Sequence, residues 1–458
     1  MNGKDNEKIQ RLIERFDSPV PRYTSYPTAL EWSEEFNAEL FWKAIKSREQ
    51  KAPLSVYVHL PFCENQCLYC GCNTVISRRK NVIDDYMDHL LSELAFYGEM
   101  LGKGITVEQL HFGGGTPNFL RIEDWQKLLA SLREIFSFSK DIEQSIELDP
   151  MVLSPEYLEY LFKEGFNRVS FGIQDITPKV LGSVNRPQDI EHLDAVILHA
   201  RKLGFVSVNL DFIYGLPHQT RESYAENLAF IRKHRPDRLA FFSYAHVPWM
   251  KSNQKKMDET ALPVPEEKLR IYLRVREELL SEGYVQIGMD HFALPGDELS
   301  KALASHALHR NFMGYTTKPE LDLLGLGASA ISQINRVFAQ NPVKYNRYKK
   351  AVKGEGPRFE KGYGKNDEDE MRSEIIRSIM GSFFFSISGF EKKWNVSFKE
   401  RFAAEISALQ EFAADGLLIV NDDSILLTEN GTFGVRHIAK IFDAFRNGNA
   451  KTGFSRGI

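Results

Sequence analysis

The chain has 458 residues, 43% hydrophobic and 26% charged, with a formal net charge of −4. That balance describes a globular protein long enough for a large α/β unit with attachments, and it lacks the basic field that would recommend nucleic acid as a partner. No run approaches the ~20 apolar residues of a spanning helix, and the polar start Met1-Asn2-Gly3-Lys4-Asp5 has no signal-peptide core, so the expectation is a cytoplasmic protein that works away from membranes.

Residues 1–50 form an N-terminal arm whose segment Pro21-Arg22-Tyr23-Thr24-Ser25-Tyr26-Pro27-Thr28 reads as extended, because two prolines flank it. From residue 51 to about 300, short β-branched or aromatic runs alternate with longer amphipathic stretches. The runs are 55–60, 109–112, 145–148, 168–171, 207–211 and 238–244, with helices over about 79–101, after Ile122 and from Pro155. Six strand–helix units predict a parallel sheet, and six rather than eight predict a partial, open (βα)6 barrel. Residues 301–360 read as an extension and linker, and both Gly354-Glu355-Gly356-Pro357 and the charged run Lys365–Glu370 look like linker sequence. Residues 361–458 read as a mainly helical domain with one hairpin over 417–428, a winged-helix-like pattern whose ordinary charge favours a lid or packing role.

All four cysteines fall within ten positions: Cys63, Cys67, Cys70 and Cys72. They follow the first predicted strand, in the reducing compartment where thiols stay available to metals. Three closely spaced thiolates on an irregular loop suit an iron–sulfur cluster with one open iron. A structural zinc site using all four is the alternative, against which the single residue between Cys70 and Cys72 weighs. Gly113-Gly114-Gly115-Thr116-Pro117 follows the second strand, where glycines permit close backbone approach to a ligand. Glu147, Gln174 and Asp211 stand at the ends of later strands, the face where βα loops build active sites.

The C-x3-C-x2-C spacing with aromatic Tyr69 before the last cysteine resembles the radical S-adenosylmethionine superfamily. Longer segments, including Pro21–Ala29, Cys70-Gly71-Cys72-Asn73, Val184-Asn185-Arg186, Gly288–Ala293, His309–Thr317 and Phe454-Ser455-Arg456, resemble the oxygen-independent coproporphyrinogen III dehydrogenases. The resemblance implies a [4Fe-4S] cluster on Cys63, Cys67 and Cys70, with Cys72 left over, and two molecules of S-adenosylmethionine. It places Tyr57, Gly114 and Glu147 around the first of these. Tyr69, Gly115, Thr116, Gln174, Arg186, Asp211, Ala245 and Ile331 fall around the second.

The implied reaction is oxidative decarboxylation of the ring A and B propionates of coproporphyrinogen III to vinyl groups, giving protoporphyrinogen IX, with an electron donor for the cluster and an electron acceptor as further partners. A tetracarboxylate substrate calls for arginines that pair carboxylates bidentately, for which Arg22, Arg186 and Arg310 are candidates. His291 and His309 are candidate acid/base or orienting groups. A haem chaperone and an anaerobic haem-degrading enzyme on the same scaffold are the rival readings.

Overall fold

The computed structural model describes residues 3–49, 51–319, 321–353, 356–445 and 454–457, with side chains from residue 10 onward. The six expected strands form, several longer than their apolar runs: β1 (Leu54–Leu60), β2 (Ile105–Gly114), β3 (Phe136–Leu148), β4 (Arg168–Gln174), β5 (Ser207–Tyr214) and β6 (Arg238–Ser243). They lie side by side in chain order, every neighbouring pair parallel. Parallel strands of this kind are covered on both faces, and β1 is so covered: Leu54, Val56, Val58 and Leu60 form an apolar face, and the polar Ser55 and His59 are buried on the opposite one. The helix Lys80–Leu101 buries Ile83, Met87, Leu90, Leu94 and Tyr97, the three-and-four spacing of one helical stripe.

The sheet does not stop at six strands. Among the described residues twelve strands form one sheet. Asp322–Leu326 adds parallel to β1, followed outward by the antiparallel strands Ile331–Ile334, Val337–Gln340 and Lys361–Gly364. On the other edge His291–Ala293 adds antiparallel to β6, and Val285–Ile287 adds antiparallel to His291–Ala293. The expected extension over 301–360 therefore contributes three strands to this sheet.

The charged run Lys365–Glu370 is no linker. Asn366 caps the helix Asp367–Ser382, its side chain accepting from the Asp369 N–H while Asp369 accepts from the Asn366 N–H, and Asp367, Glu368, Asp369 and Glu370 occupy the first turn. Acids there complement the positive end of the helix dipole. Gly354 and Glu355 lie outside the described residues.

Beyond residue 366 helices dominate, with a small antiparallel sheet. The expected hairpin is Leu418–Val420 with Ser424–Leu427, joined by Phe384–Ser386 as a third strand. This region has its own apolar core around Ile375, Ile379, Phe385, Phe398, Phe402 and Phe442, and the core takes in Tyr23 and Tyr26 of the arm. Tyr23 donates to Asp443 at 2.9 Å, and Tyr26 accepts from the Ala444 N–H at 2.9 Å. The N-terminal arm is thus anchored by residues more than 400 positions away. Among the described residues no helix is long and apolar enough to cross a membrane.

One buried acid ties the sheet extension to the first helix. Glu93, 1% exposed, accepts from the Gly327 N–H at 2.8 Å, Tyr348 Oη at 2.7 Å and Asn341 Nδ2 at 2.6 Å. Burial pushes its carboxyl up to about 7, and these three donors limit the rise. The folded protein therefore holds a proton that the unfolded chain releases near pH 4.5, so this contribution is complete at low pH and is lost as pH rises toward 7, by on the order of 3 kcal/mol. Urea midpoints of wild type should fall between pH 5 and pH 8, and Glu93→Gln should flatten that part of the profile.

Candidate active site

The exits of β1 and β2 are stitched together by backbone hydrogen bonds. The Gly115 N–H donates to Leu60 O at 2.8 Å and the Thr116 N–H to Phe62 O at 2.7 Å. After β1, Phe62–Cys63 pairs in parallel with Val75–Ile76, so residues 63–76 make a closed loop with all four cysteines on it. A Cβ at Gly115 would lie 2.6 Å from Phe62 O and Pro61 O. Only glycine lets the two loops approach this closely.

Polar groups surround the cysteine sulfurs. Thr116 Oγ1 donates to Cys63 Sγ at 3.3 Å, Arg186 Nη1 to Cys67 Sγ at 3.6 Å, and the Cys72 N–H to Cys70 Sγ at 3.4 Å. Arg186 is fixed by Gly172 O at 2.7 Å and Asp149 at 3.3 Å, yet its buried Nε has no hydrogen-bond partner. The loop is clamped from outside by Asn253, whose Nδ2 lies 3.2, 3.0 and 3.1 Å from the carbonyls of Cys67, Leu68 and Cys70. Gln254 Nε2 reaches Tyr69 O and Ala245 O, both at 3.2 Å.

Behind the glycine turn stands a second polar group. Glu147 accepts from the Gly114 N–H at 3.0 Å and lies 3.6 Å from His111 Nε2. Burial alone would raise its carboxyl, but His111 and the Gly114 N–H outweigh that and hold it below its ordinary value. Tyr57 stacks on His111 with ring centroids 5.8 Å apart, and its hydroxyl meets His59 Nδ1 at 3.0 Å. Further along the sheet, Asp211 bonds Ser170 at 3.0 Å and Asn209 at 2.7 Å. Burial and the Glu147 charge push the Asp211 carboxyl up to about 6.

These groups open into one cavity of 970 Å³, near the top of the ~300–1,000 Å³ span of small-molecule pockets. Of the residues expected from sequence, Cys63, Cys67, Cys70, Tyr69, Gly114, Gly115, Thr116, Glu147, Gln174, Arg186, Asp211, Ala245 and Arg22 all line it. The arm supplies part of the wall, through Val20 to Thr24 and Thr28 to Leu30.

Tyr57, Ile331 and Arg310 do not line the cavity. Tyr57 sits one ring behind Glu147. Ile331 begins a strand on the far side of β1, where it pairs with Gln340. Arg310 is buried against Asp290 at 3.7 Å and donates to Arg22 O at 3.2 Å, so it supports the arm. His291 bonds Asp290 at 2.8 Å, and His309 lies on the strand His309–Asn311; neither is on the cavity wall.

The donor set fits an iron–sulfur cluster. Among the described residues no group of three or more His, Cys, Asp or Glu side chains is gathered around a single-ion position. All four loop cysteines line the shared cavity, and hydroxyl, guanidinium and N–H donors reach the sulfurs of Cys63, Cys67 and Cys70, the setting that stabilises cluster thiolates.

The radical SAM superfamily profile matches residues 57–231, the stretch from β1 into the helix Tyr224–His234. Over nearly the whole chain the similarity is more specific. The oxygen-independent coproporphyrinogen III oxidase of Escherichia coli (strain K12) is 42% identical over 448 residues, covering 98% of both chains. That of Synechocystis sp. (strain PCC 6803) is 42% identical over 453 residues, covering 98% of this chain and 97% of its own. The chain belongs to the oxygen-independent coproporphyrinogen III oxidase family. The solved structure of the coproporphyrinogen III oxidase HemN from Escherichia coli, a radical SAM enzyme, superposes with a TM-score of 0.91 over 95% of this chain and 98% of that one.

In this member of the family, the residues that sequence reading missed are supporting ones. Asn253 and Gln254 sit in Lys251-Ser252-Asn253-Gln254-Lys255-Lys256, which reads as a solvated loop. His111 carried a usable signal, since it stands two residues before the glycine run on β2.

Proposed function

We infer that this protein converts coproporphyrinogen III to protoporphyrinogen IX without oxygen, by oxidative decarboxylation of the ring A and ring B propionates. One observation carries the reading: cysteine loop, glycine turn and Arg22 arm share one cavity in a chain 42% identical over 98% of its length to an enzyme of that name. When bound, a reduced [4Fe-4S] cluster with S-adenosylmethionine supplies a carbon radical able to take hydrogen from an unactivated position.

The chain's own residues prepare the site. Cys63, Cys67 and Cys70 hold the cluster, leaving Cys72 free of it. Gly114 and Glu147 receive the ammonium of one S-adenosylmethionine, with Glu147 ionised through His111 and Tyr57 bracing that histidine from behind. Tyr69, Gly115, Thr116, Gln174, Arg186, Asp211 and Ala245 surround a second S-adenosylmethionine, whereas Ile331, on the strand between Asp322–Leu326 and Val337–Gln340, stands off the cavity wall. Arg22 pairs a substrate carboxylate.

Each propionate loses one β-hydrogen, then carbon dioxide, and passes one electron to an acceptor, leaving a vinyl group. The bound cluster would need an external electron donor, and a cytoplasmic setting would keep the thiols reduced. Anaerobic incubation of the reconstituted protein with reductant, S-adenosylmethionine and coproporphyrinogen III should give protoporphyrinogen IX, with methionine and 5′-deoxyadenosine. Absence of vinyl product from protein with a full cluster complement would overturn the assignment.

A further inference from the structure

We propose that a side chamber beside the main cavity is a carboxylate-binding subsite, built by Arg22 and Lys268, that holds a substrate propionate other than the one reacting. The inference rests on the function proposed above and adds where a non-reacting carboxylate is held. The chamber has a volume of 380 Å³. It shares Arg22, Ser243, Tyr244, Ala245, Phe454 and Ser455 with the main cavity, so a substrate lying over the cysteine loop can extend an arm past the end of β6 into it.

The two cations are held by the carbonyls of successive residues at the end of β6, and both line the chamber. Arg22 Nη2 donates to Ser243 O at 3.0 Å, and Lys268 Nζ donates to Tyr244 O at 3.0 Å. Lys268 reaches this position by lying across Gly215, where a Cβ would meet its Cε at 2.8 Å. Behind them Arg436 donates to the carbonyls of Pro21, Val20 and Arg456. Among the described residues one carboxylate, Asp17, is on the chamber wall; it pairs with Arg456 at 2.8 Å and its charge also favours the Lys268 ammonium.

Like charges gathered in a partly dehydrated wall repel each other. The strain is legible in Lys268, whose ammonium burial and neighbouring Arg22 push down to about 8. An incoming carboxylate relieves it, and the guanidinium of Arg22 offers a planar fork while Lys268 adds a point charge. Coproporphyrinogen III has four propionates of which two react, so the enzyme must hold carboxylates that it does not transform. The methionyl carboxylate of S-adenosylmethionine has the same chemistry, and the test separates the two.

The experiment uses the full-length protein with reconstituted cluster. It measures KM for coproporphyrinogen III, Kd for S-adenosylmethionine, and, by fluorescence, Kd for coproporphyrin III, the oxidised tetracarboxylate. Lys268→Gln should raise both tetrapyrrole constants about tenfold, as loss of one charged hydrogen bond predicts, while Lys268→Arg stays within about twofold. Tetrapyrrole constants unchanged in Lys268→Gln, or raised equally in both variants, would overturn the subsite. A rise confined to the S-adenosylmethionine Kd would overturn the substrate assignment by giving the chamber to the methionyl carboxylate. If wild type binds coproporphyrin III with this Lys268 dependence but turns over no coproporphyrinogen, the subsite stands and the proposed reaction falls.

Discussion

Cys72→Ser retains the cluster and its visible absorption, whereas Cys63→Ser, Cys67→Ser and Cys70→Ser each drop the iron content below about a tenth of wild type and abolish vinyl formation. The four thiols are nearly adjacent in sequence but unequal in setting. Cys63 receives a hydrogen bond from Thr116, Cys67 one from Arg186, and Cys70 one from the backbone of Cys72. Cys72 is the exposed member of the four, and it supports Cys70 through its main-chain N–H and through its thiol, a donor role that a serine hydroxyl also fills. A serine side chain at 72 leaves that N–H in place, so Cys70 keeps its support. Iron and sulfide analysis of anaerobically reconstituted proteins, with electron paramagnetic resonance of the reduced state, reads the outcome. Equal iron loss in all four variants would mean a four-thiolate site.

Much of this centre was readable from local sequence. The cysteine spacing, the glycine run and the strand-end residues Glu147, Gln174 and Asp211 each follow an apolar run that becomes a parallel strand, and parallel strands in chain order bring their carboxyl ends to one edge. That is why residues 63 to 245 meet in one cavity although no local signal couples them.

What escaped the reading depends on long-range pairing. The arm's aromatics Tyr23 and Tyr26 find their partners at Asp443 and Ala444, and nothing near residue 23 announces a core built from the last hundred residues. The charged run at 365–370 looks like a solvated linker until the dipole of the following helix gives its acids a role. Asn253 is one amide in a polar stretch, and its importance comes from the three carbonyls that the cysteine loop turns toward it. Ile331 and Arg310 carry a resemblance in sequence, but their strands place them beside the cavity rather than on its wall.

Gly115→Ala should lower activity by ~100-fold or more, because the added methyl group has nowhere to go. Its Cβ would stand 2.6 Å from Phe62 O, Pro61 O and Pro61 C. Those atoms are backbone, so no rotamer change relieves the contact, and overpacking of this kind costs ~1–3 kcal/mol when the structure yields. Here the yielding parts are the two loops that make the site. The Gly115-to-Leu60 and Thr116-to-Phe62 hydrogen bonds must lengthen, which carries Thr116 away from Cys63 and the glycine turn away from the cysteine loop. A displacement of ~1 Å between groups that must act together is enough for a ~100-fold loss, whereas global stability, set mainly by the large apolar core under the sheet, falls only by the overpacking cost. The two readouts therefore separate: the urea midpoint shifts modestly, while S-adenosylmethionine cleavage and vinyl formation collapse together. Near-wild-type turnover in Gly115→Ala would mean that the loops part without consequence and that the close approach is incidental to the chemistry.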